Sequence, residues 1–343
     1  MEELFNALII GDPHIKGNNI KYTEPFISQT VNIARERSKD GLNFIIILGD
    51  TLDGHEKIDM RSMNRATKFI LELSRITETY VLIGNHDRAN NQEYLTSDHP
   101  FYGLEIVGAP EKNPDMTYKE RKYKVNIVRR PTAIRINNQR ILLCPYVPPG
   151  KFDESLETIA IRKNDKVGQF NVKEDMNKIK VIFAHQEFKG CNIGNMKSSI
   201  GDHWPKDRPL VISGHIHENH SPQENIIYPG TPYQTSYNDK GEKGIFMFRF
   251  YEKGHKIEHI PLNIPQRITI SVKPGETPQL REGERYIVDE NVDKQWLEEA
   301  KKNNKIIMKR ERRDVGKNIK SYDDIVRELI KDDQLAVNIF NEL

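Results

Sequence analysis

Phe44-Ile45-Ile46-Ile47-Leu48-Gly49-Asp50-Thr51-Leu52-Asp53 is the stretch that decides the fold: five apolar residues run straight into glycine and acids. A run this short and this apolar reads as a strand buried on both faces, with Gly49-Asp50 marking its carboxyl end. Upstream, residues 5–10 repeat the arrangement and end in Gly11-Asp12-Pro13-His14. Downstream, residues 81–83 do so again and stop at Gly84-Asn85-His86-Asp87. Helical spacing fills the gaps. Ile27, Thr30, Val31 and Ala34 follow Thr23 as a cap, with Pro25 in the first turn; Met63, Ala66, Ile70 and Leu73 mark a second helix over 62–76. Strands alternating with helices imply parallel βαβ units, whose strand carboxyl ends gather on one ligand-binding edge.

Further along, residues 123–128, 133–136 and 141–143 read as antiparallel strands around turns such as Asn137-Asn138, and 153–177 as a charged helical stretch. Strands return at 181–184, 210–213, 226–228, 244–250 and 256–260. Asn263-Ile264-Pro265 reads as a boundary. Beyond it, 268–272, 285–289 and 306–308 are strand-like, and Ser321 with Asp324 forms a capping signature ahead of the apolar Val326, Leu329, Ile330, Val337 and Phe340.

Composition sets the outer limits. The 343 residues suggest about two domains. Lys+Arg 52 against Asp+Glu 50 leaves a charge of +2, so any polyanion site must arise from local clustering. The longest apolar run is far short of the roughly 20 residues a membrane span needs. The amino terminus has neither a basic n-region nor a long apolar core, so secretion is not expected. Cys144 and Cys191 lie far apart and outside any CxxC, which excludes a disulfide framework and a thiolate zinc site. A reducing, cytoplasmic setting is expected.

The chemistry sits at the strand ends: Asp12-Pro13-His14, Gly49-Asp50 with Asp53, Gly84-Asn85-His86-Asp87, Ala184-His185, and Gly214-His215-Ile216-His217. Singly, each has an ordinary explanation, since Asp12 can form a turn, Asp50 can cap a helix, and His185 can be a satisfied core histidine. Together they place many titratable groups at strand ends, which points to convergence. Imidazole, carboxylate and carboxamide without thiolate favour Mn, Fe or Zn. One bridging carboxylate would let the set hold two metals, an arrangement suited to displacement at phosphorus.

The order D-x-H, GD-x-x-D, GNHD, H, GH-x-H over residues 5–262 resembles the calcineurin-like metallophosphoesterase family. That resemblance implies an α/β fold, a two-layer β-sandwich flanked by helices, with a small C-terminal α+β cap. It implies one divalent metal on Asp12, His14, Asp50 and His217, and a second on Asp50, Asn85, His185 and His215. His86 would face the phosphate rather than bind metal, and Asp87 would orient His86. No covalent phosphoenzyme is expected.

The phosphoprotein phosphatase branch reads GDxxDRG, where this chain has Gly54-His55 after Asp53. Tyr228-Pro229-Gly230-Thr231-Pro232-Tyr233-Gln234-Thr235-Ser236-Tyr237 with Lys243-Gly244 instead looks like SbcD-type nucleases of double-strand-break processing. This implies a nuclease domain over 1–264, a capping domain over 265–320 and a helical tail over 321–343 that docks on an SbcC-type coiled-coil ATPase. Manganese, DNA and a homodimer follow from the same likeness. Cellular SbcD-type enzymes carry His where this chain has Asp53. Phage members resemble it in carrying Asp, which points to a phage or viral member and, if viral, to the host cytoplasm; His55 is read as reaching the same space. DNA contacts are expected from Arg121, Lys122, Lys124, Arg129 and Arg130, or from Lys309, Arg310, Arg312 and Arg313. The alternatives are a phosphoesterase for nucleotides or small phosphorylated molecules, and a scaffold that chiefly anchors an ATPase.

Overall fold

The computed structural model describes residues 2–111, 119–161, 175–194, 196–239, 241–281, 284–288 and 292–308. The chain divides into two compact units, Met1–Arg267 and Ile268–Leu343.

The first unit is a two-layer β-sandwich. In one sheet β1 (Glu3–Ile10), β2 (Phe44–Ile47), β3 (Glu78–Leu82) and β4 (Val125–Val128) run parallel, and β14 (Gly244–Tyr251) and β15 (His255–Pro261) extend it antiparallel beyond β1. The other sheet has the order β12-β13-β11-β8-β6-β5-β7. Its members are β5 (Thr132–Ile136), β6 (Gln139–Cys144), β7 (Ala160–Ile161), β8 (Ile179–His185), β11 (Val211–Gly214), β12 (His220–Gln223) and β13 (Ile226–Tyr228). Between β8 and β11, β9 (Asn192–Ile193) and β10 (Met196–Lys197) form a small hairpin.

The period-2 alternation of strands explains why β2 is apolar throughout. Phe44 and Ile46 face the second sheet with Phe5, Ala7 and Ile9, meeting Ile141, Leu143, Val181, Phe183 and Ile212. Ile45 and Ile47 face the other way, onto Phe26, Val31 and Ala34 of α1 (Ile20–Lys39) and Ala66, Phe69 and Leu73 of α2 (Met60–Ser74). Each such fully buried side chain contributes roughly 1.5–3 kcal/mol. The loop after β2 is thereby held on a strand that cannot slide.

Several elements depart from expectation. Helix α1 starts at Ile20 with Asn19 at the cap position, so Thr23 is a buried helical residue and Pro25 lies inside the helix. Cap and proline preferences bias a boundary without fixing it. β4 is parallel to β3, not part of an antiparallel set. The segment from β3 to β4, which includes α3 (Tyr102–Gly108), is long enough for the crossover that parallel pairing requires. The stretch 153–177 is not one helix. It opens with the short α4 (Phe152–Leu156), then β7, and 162–174 lie outside the described residues.

In the second unit β16 (Thr269–Val272), β17 (Arg285–Val288) and β18 (Lys305–Met308) form a parallel sheet, and α5 (Lys294–Asn303) joins the last two. The Asp293 carboxylate caps α5 by accepting the Trp296 N–H at 2.7 Å. Val272, Tyr286, Val288, Trp296 and Ala300 form its core. The basic run 309–313 and the tail 321–343 lie outside the described residues.

Among the described residues no helix is long and apolar enough to cross a membrane.

Candidate metal centre

Four loops, after β1, β2, β3 and β11, together with the last residue of β8, bring Asp12, His14, Asp50, Asn85, His185, His215 and His217 together. The Nε2 atoms of His14 and His217 face each other at 2.9 Å, and His14 Nε2 is 3.7 Å from Asp50 Oδ2. On the other side of Asp50, His185 Nε2 is 3.4 Å from Asp50 Oδ1, and Asn85 Oδ1 lies 3.0 Å from His185 Nε2 and 2.9 Å from His215 Nδ1. Asp50 therefore stands between two groups of donors. Asp12, His14 and His217 offer atoms within 4.8 Å of one another, as do Asp50, His185 and His215. Asp12 Oδ2 accepts the His215 N–H at 2.7 Å, while Oδ1 is buried with no hydrogen-bond partner. An orphaned buried carboxylate oxygen beside imidazole nitrogens is what a cation would satisfy.

Tautomers support the same reading. His185 Nδ1 lies 2.7 Å from the Leu48 carbonyl, which can only accept, so in the neutral ring Nδ1 keeps the proton and Nε2 is the nitrogen left to offer its lone pair to a cation.

The backbone is bent to achieve this. His14 (φ 44°), Asp50 (φ 44°) and His215 (φ 81°) all occupy the left-handed region. Such conformations cost about 1–3 kcal/mol each and concentrate at functional sites. The neighbouring glycines have no room for a side chain. A Cβ on Gly84 would lie 2.1 Å from Asp50 Oδ1, and one on Gly49 (φ 108°) would lie 2.4 Å from His185 Nδ1. Gly84→Ala is expected to destabilise the protein by about 3 kcal/mol and to weaken divalent-metal binding. Chemical denaturation and metal titration of the purified variant check both.

Electrostatics are those of a buried charge cluster. Burial raises the Asp12 carboxyl to about 7, helped by Asp50 and opposed by His185. Burial works against ionised Asp50 too, yet His185, His14 and His86 hold it well below the usual carboxylate range. Burial disfavours charge on His185, but Asp50 and Asp12 outweigh it and lift the group to about 9. His217 is pushed down to about 3 by burial and by His14. In the absence of cations, then, histidine charge and the Asp12 proton compensate the carboxylates. Divalent cations would take over that role.

His86 lies on the open side, its side chain 32% exposed. Its backbone N–H donates to Asp50 Oδ1 at 2.8 Å. Burial lowers the ring to about 4 against the opposing charge of Asp50. By distance alone His86 could join His14 and Asp50 on a cation. Asp87 does not orient it. The Asp87 carboxylate accepts N–H bonds from Leu52 (3.1 Å), Gly84 (3.1 Å) and Thr51 (3.3 Å), stapling the loops after β2 and β3 together. A buried carboxylate takes the unsatisfied amides within its reach, and here three of them occupy it.

Other contributors escaped the sequence reading. Glu187 Oε2 lies 3.8 Å from His215 Nε2 and Glu187 accepts from the Ser198 hydroxyl, so the far side of His215 has an anionic partner. Asn91 Oδ1 accepts from Asn85 Nδ2 at 3.2 Å, orienting its carbonyl toward the cluster. The Tyr146 ring lies 5.7 Å from that of His215. Glu187 and Tyr146 each follow a strand of the second sheet by two residues, the same signal that marked the motifs. The basic residues at 121–130 are in part tied to local acids: Arg121 pairs with Glu78, and Arg129 Nε with Glu105 at 3.1 Å.

Fold and site together define a phosphoesterase that can hold divalent metals between two sheets. The family model for calcineurin-like phosphoesterases matches residues 5–219. The chain belongs to that family. It is 37% identical over 265 residues to "Putative phosphoesterase 078R" of Invertebrate iridescent virus 3, covering 77% of this chain and 68% of that protein. It is 36% identical over 272 residues to "Putative phosphoesterase 244L" of Invertebrate iridescent virus 6, covering 78% and 85%.

Proposed function

We propose that this metallophosphoesterase is a manganese-dependent DNA phosphodiesterase of viral origin. It would work in the host cytoplasm as a homodimer bound, through residues 321–343, to an SbcC-type coiled-coil ATPase. One observation carries the choice of substrate. The stretch that looks like SbcD-type nucleases is built into the metal-ligand loops: the Tyr233 hydroxyl donates to the Pro13 carbonyl at 2.6 Å, and Lys243 Nζ donates to the His217 carbonyl at 2.7 Å. The likeness therefore lies in the parts that set the site, rather than in peripheral surface.

Asp12, His14, Asp50 and His217 would hold one cation, and Asp50, Asn85, His185 and His215 the other. The pair would supply Lewis acidity toward the phosphoryl oxygens and lower the pKa of the attacking water. The protein does the rest. Leu48 fixes the His185 tautomer, Asn91 aims the Asn85 carbonyl, and Glu187 faces His215. His86, on the open side, hydrogen-bonds the phosphate and hands a proton to the leaving oxygen. An incoming phosphodiester favours the protonated ring by its negative charge.

Linear duplex DNA and a chromogenic phosphomonoester, each with Mn²⁺, separate the readings. Cleavage of DNA with weak monoester turnover supports the nuclease. Rapid monoester turnover with intact DNA replaces it by a phosphoesterase for nucleotides or small phosphorylated molecules. Truncation at residue 320 should abolish ATPase association and spare basal hydrolysis.

A further inference from the structure

His86 is caged on three sides by its own chain. Asp53 Oδ1 is 3.6 Å from its Nδ1, the His14 ring meets it edge-on at 5.0 Å and 79°, and the His55 ring stacks on it at 4.8 Å and 23°. Only one of these neighbours fixes the plane of the ring. Asp53 is already engaged by Lys16 and by His14 Nδ1 at 3.1 Å. His14 offers an edge, which tolerates tilting. The stacked face of His55 does not, because a face-stacked pair loses contact area as one ring rotates out of it.

His55 is itself firmly placed. Its Nδ1 lies 3.2 Å from the Arg88 carbonyl, so Nδ1 carries the proton and donates it there. Arg88 is buried, with Nη1 donating to the Glu93 carbonyl at 2.9 Å and its guanidinium 5.5 Å from the Tyr146 ring centroid. A rigid support thus runs from Arg88 through His55 to His86.

We infer that His55 is a positioning residue whose ring holds the His86 imidazole in the plane from which it reaches the leaving oxygen. The inference rests on the proposed proton-donating role of His86. It assigns to His55 the orienting task that Asp87, occupied by backbone amides, does not perform.

The test uses the full-length, Mn²⁺-loaded protein and a series of aryl phosphodiesters from p-nitrophenyl to unsubstituted phenyl. Proton donation matters most for the poorer leaving group. His55→Ala should lower kcat on the phenyl diester by about tenfold and on the p-nitrophenyl diester by less than about twofold, at unchanged KM. His55→Phe, which keeps a ring in place, should restore the wild-type dependence. In a His86→Ala background, His55→Ala should add nothing. Equal loss across the series, or an additive effect in that background, overturns the inference.

A second readout needs neither metal nor turnover. In the metal-free protein His55→Ala should shift the His86 ring-proton resonances downfield, through loss of the stacked ring. Unmoved resonances overturn the inference. If His55→Ala fails to fold, His55→Gln against His55→Phe makes the same comparison. Should the wild type hydrolyse aryl diesters in this pattern yet leave DNA intact, the nuclease reading falls and the role of His55 stands.

Discussion

Alanine in place of His86 lowers kcat on a phosphodiester by about 10²–10⁴-fold in the manganese-loaded protein, with metal content unchanged. That range is what a positioned acid contributes. The structure favours a clean effect, because His86 holds Asp50 through its backbone N–H, which alanine retains. The fold and the placement of the Asp50 carboxylate should therefore survive the substitution. Metal analysis beside steady-state kinetics decides the matter. Since His86 also lies within reach of a cation shared with His14 and Asp50, loss of bound manganese would reassign it as a ligand. Undiminished turnover would remove it from the mechanism.

Manganese at about 100 times its dissociation constant should stabilise the protein by about 2.7 kcal/mol, raising the melting temperature by about 4 °C for a chain of this size. The increment should grow with pH. Burial raises the Asp12 carboxyl to about 7 in the metal-free fold. A group raised in this way contributes fully below its unfolded value, near 4, and that contribution is lost as pH climbs through 7. The cation competes with the same proton, so binding strengthens over the window in which the metal-free protein weakens. Asp50→Asn, which removes the carboxylate standing between both donor groups, should abolish most of the increment. Thermal melts at pH 5 and 8, with and without Mn²⁺, check this; an increment independent of pH would contradict it.

Much of this site was legible because its signals are local. Each of Asp12, Asp50, Asn85, His185 and His215 follows an apolar run, and short apolar runs ending in glycine are hard to mistake for anything but buried strands. What escaped depends on the third dimension. Asp87 adjoins His86 in sequence, yet its carboxylate turns to the amides of Thr51, Leu52 and Gly84. Strand periodicity carries no direction, so the parallel pairing of β4 with β3 could not be read from residues 123–128. Helix α5 was missed because Trp296, Leu297 and Ala300 are its few apolar residues among charges. The contacts of Tyr233 with Pro13 and of Lys243 with His217 span 220 and 26 positions. Only the family likeness drew attention to those residues, and it did not say what they touch.

Strand β14 sits between β15 and β1 in the first sheet, pairing with both. A chain ending at residue 219 would retain every proposed ligand, yet it would leave the whole length of β1 as a naked apolar border, prone to sticking to other copies. It would also lack the hydroxyl and the ammonium that grip the loops bearing His14 and His217. The smallest transplantable piece of this enzyme therefore reaches past the last ligand by at least the thirty-odd residues that close the sheet.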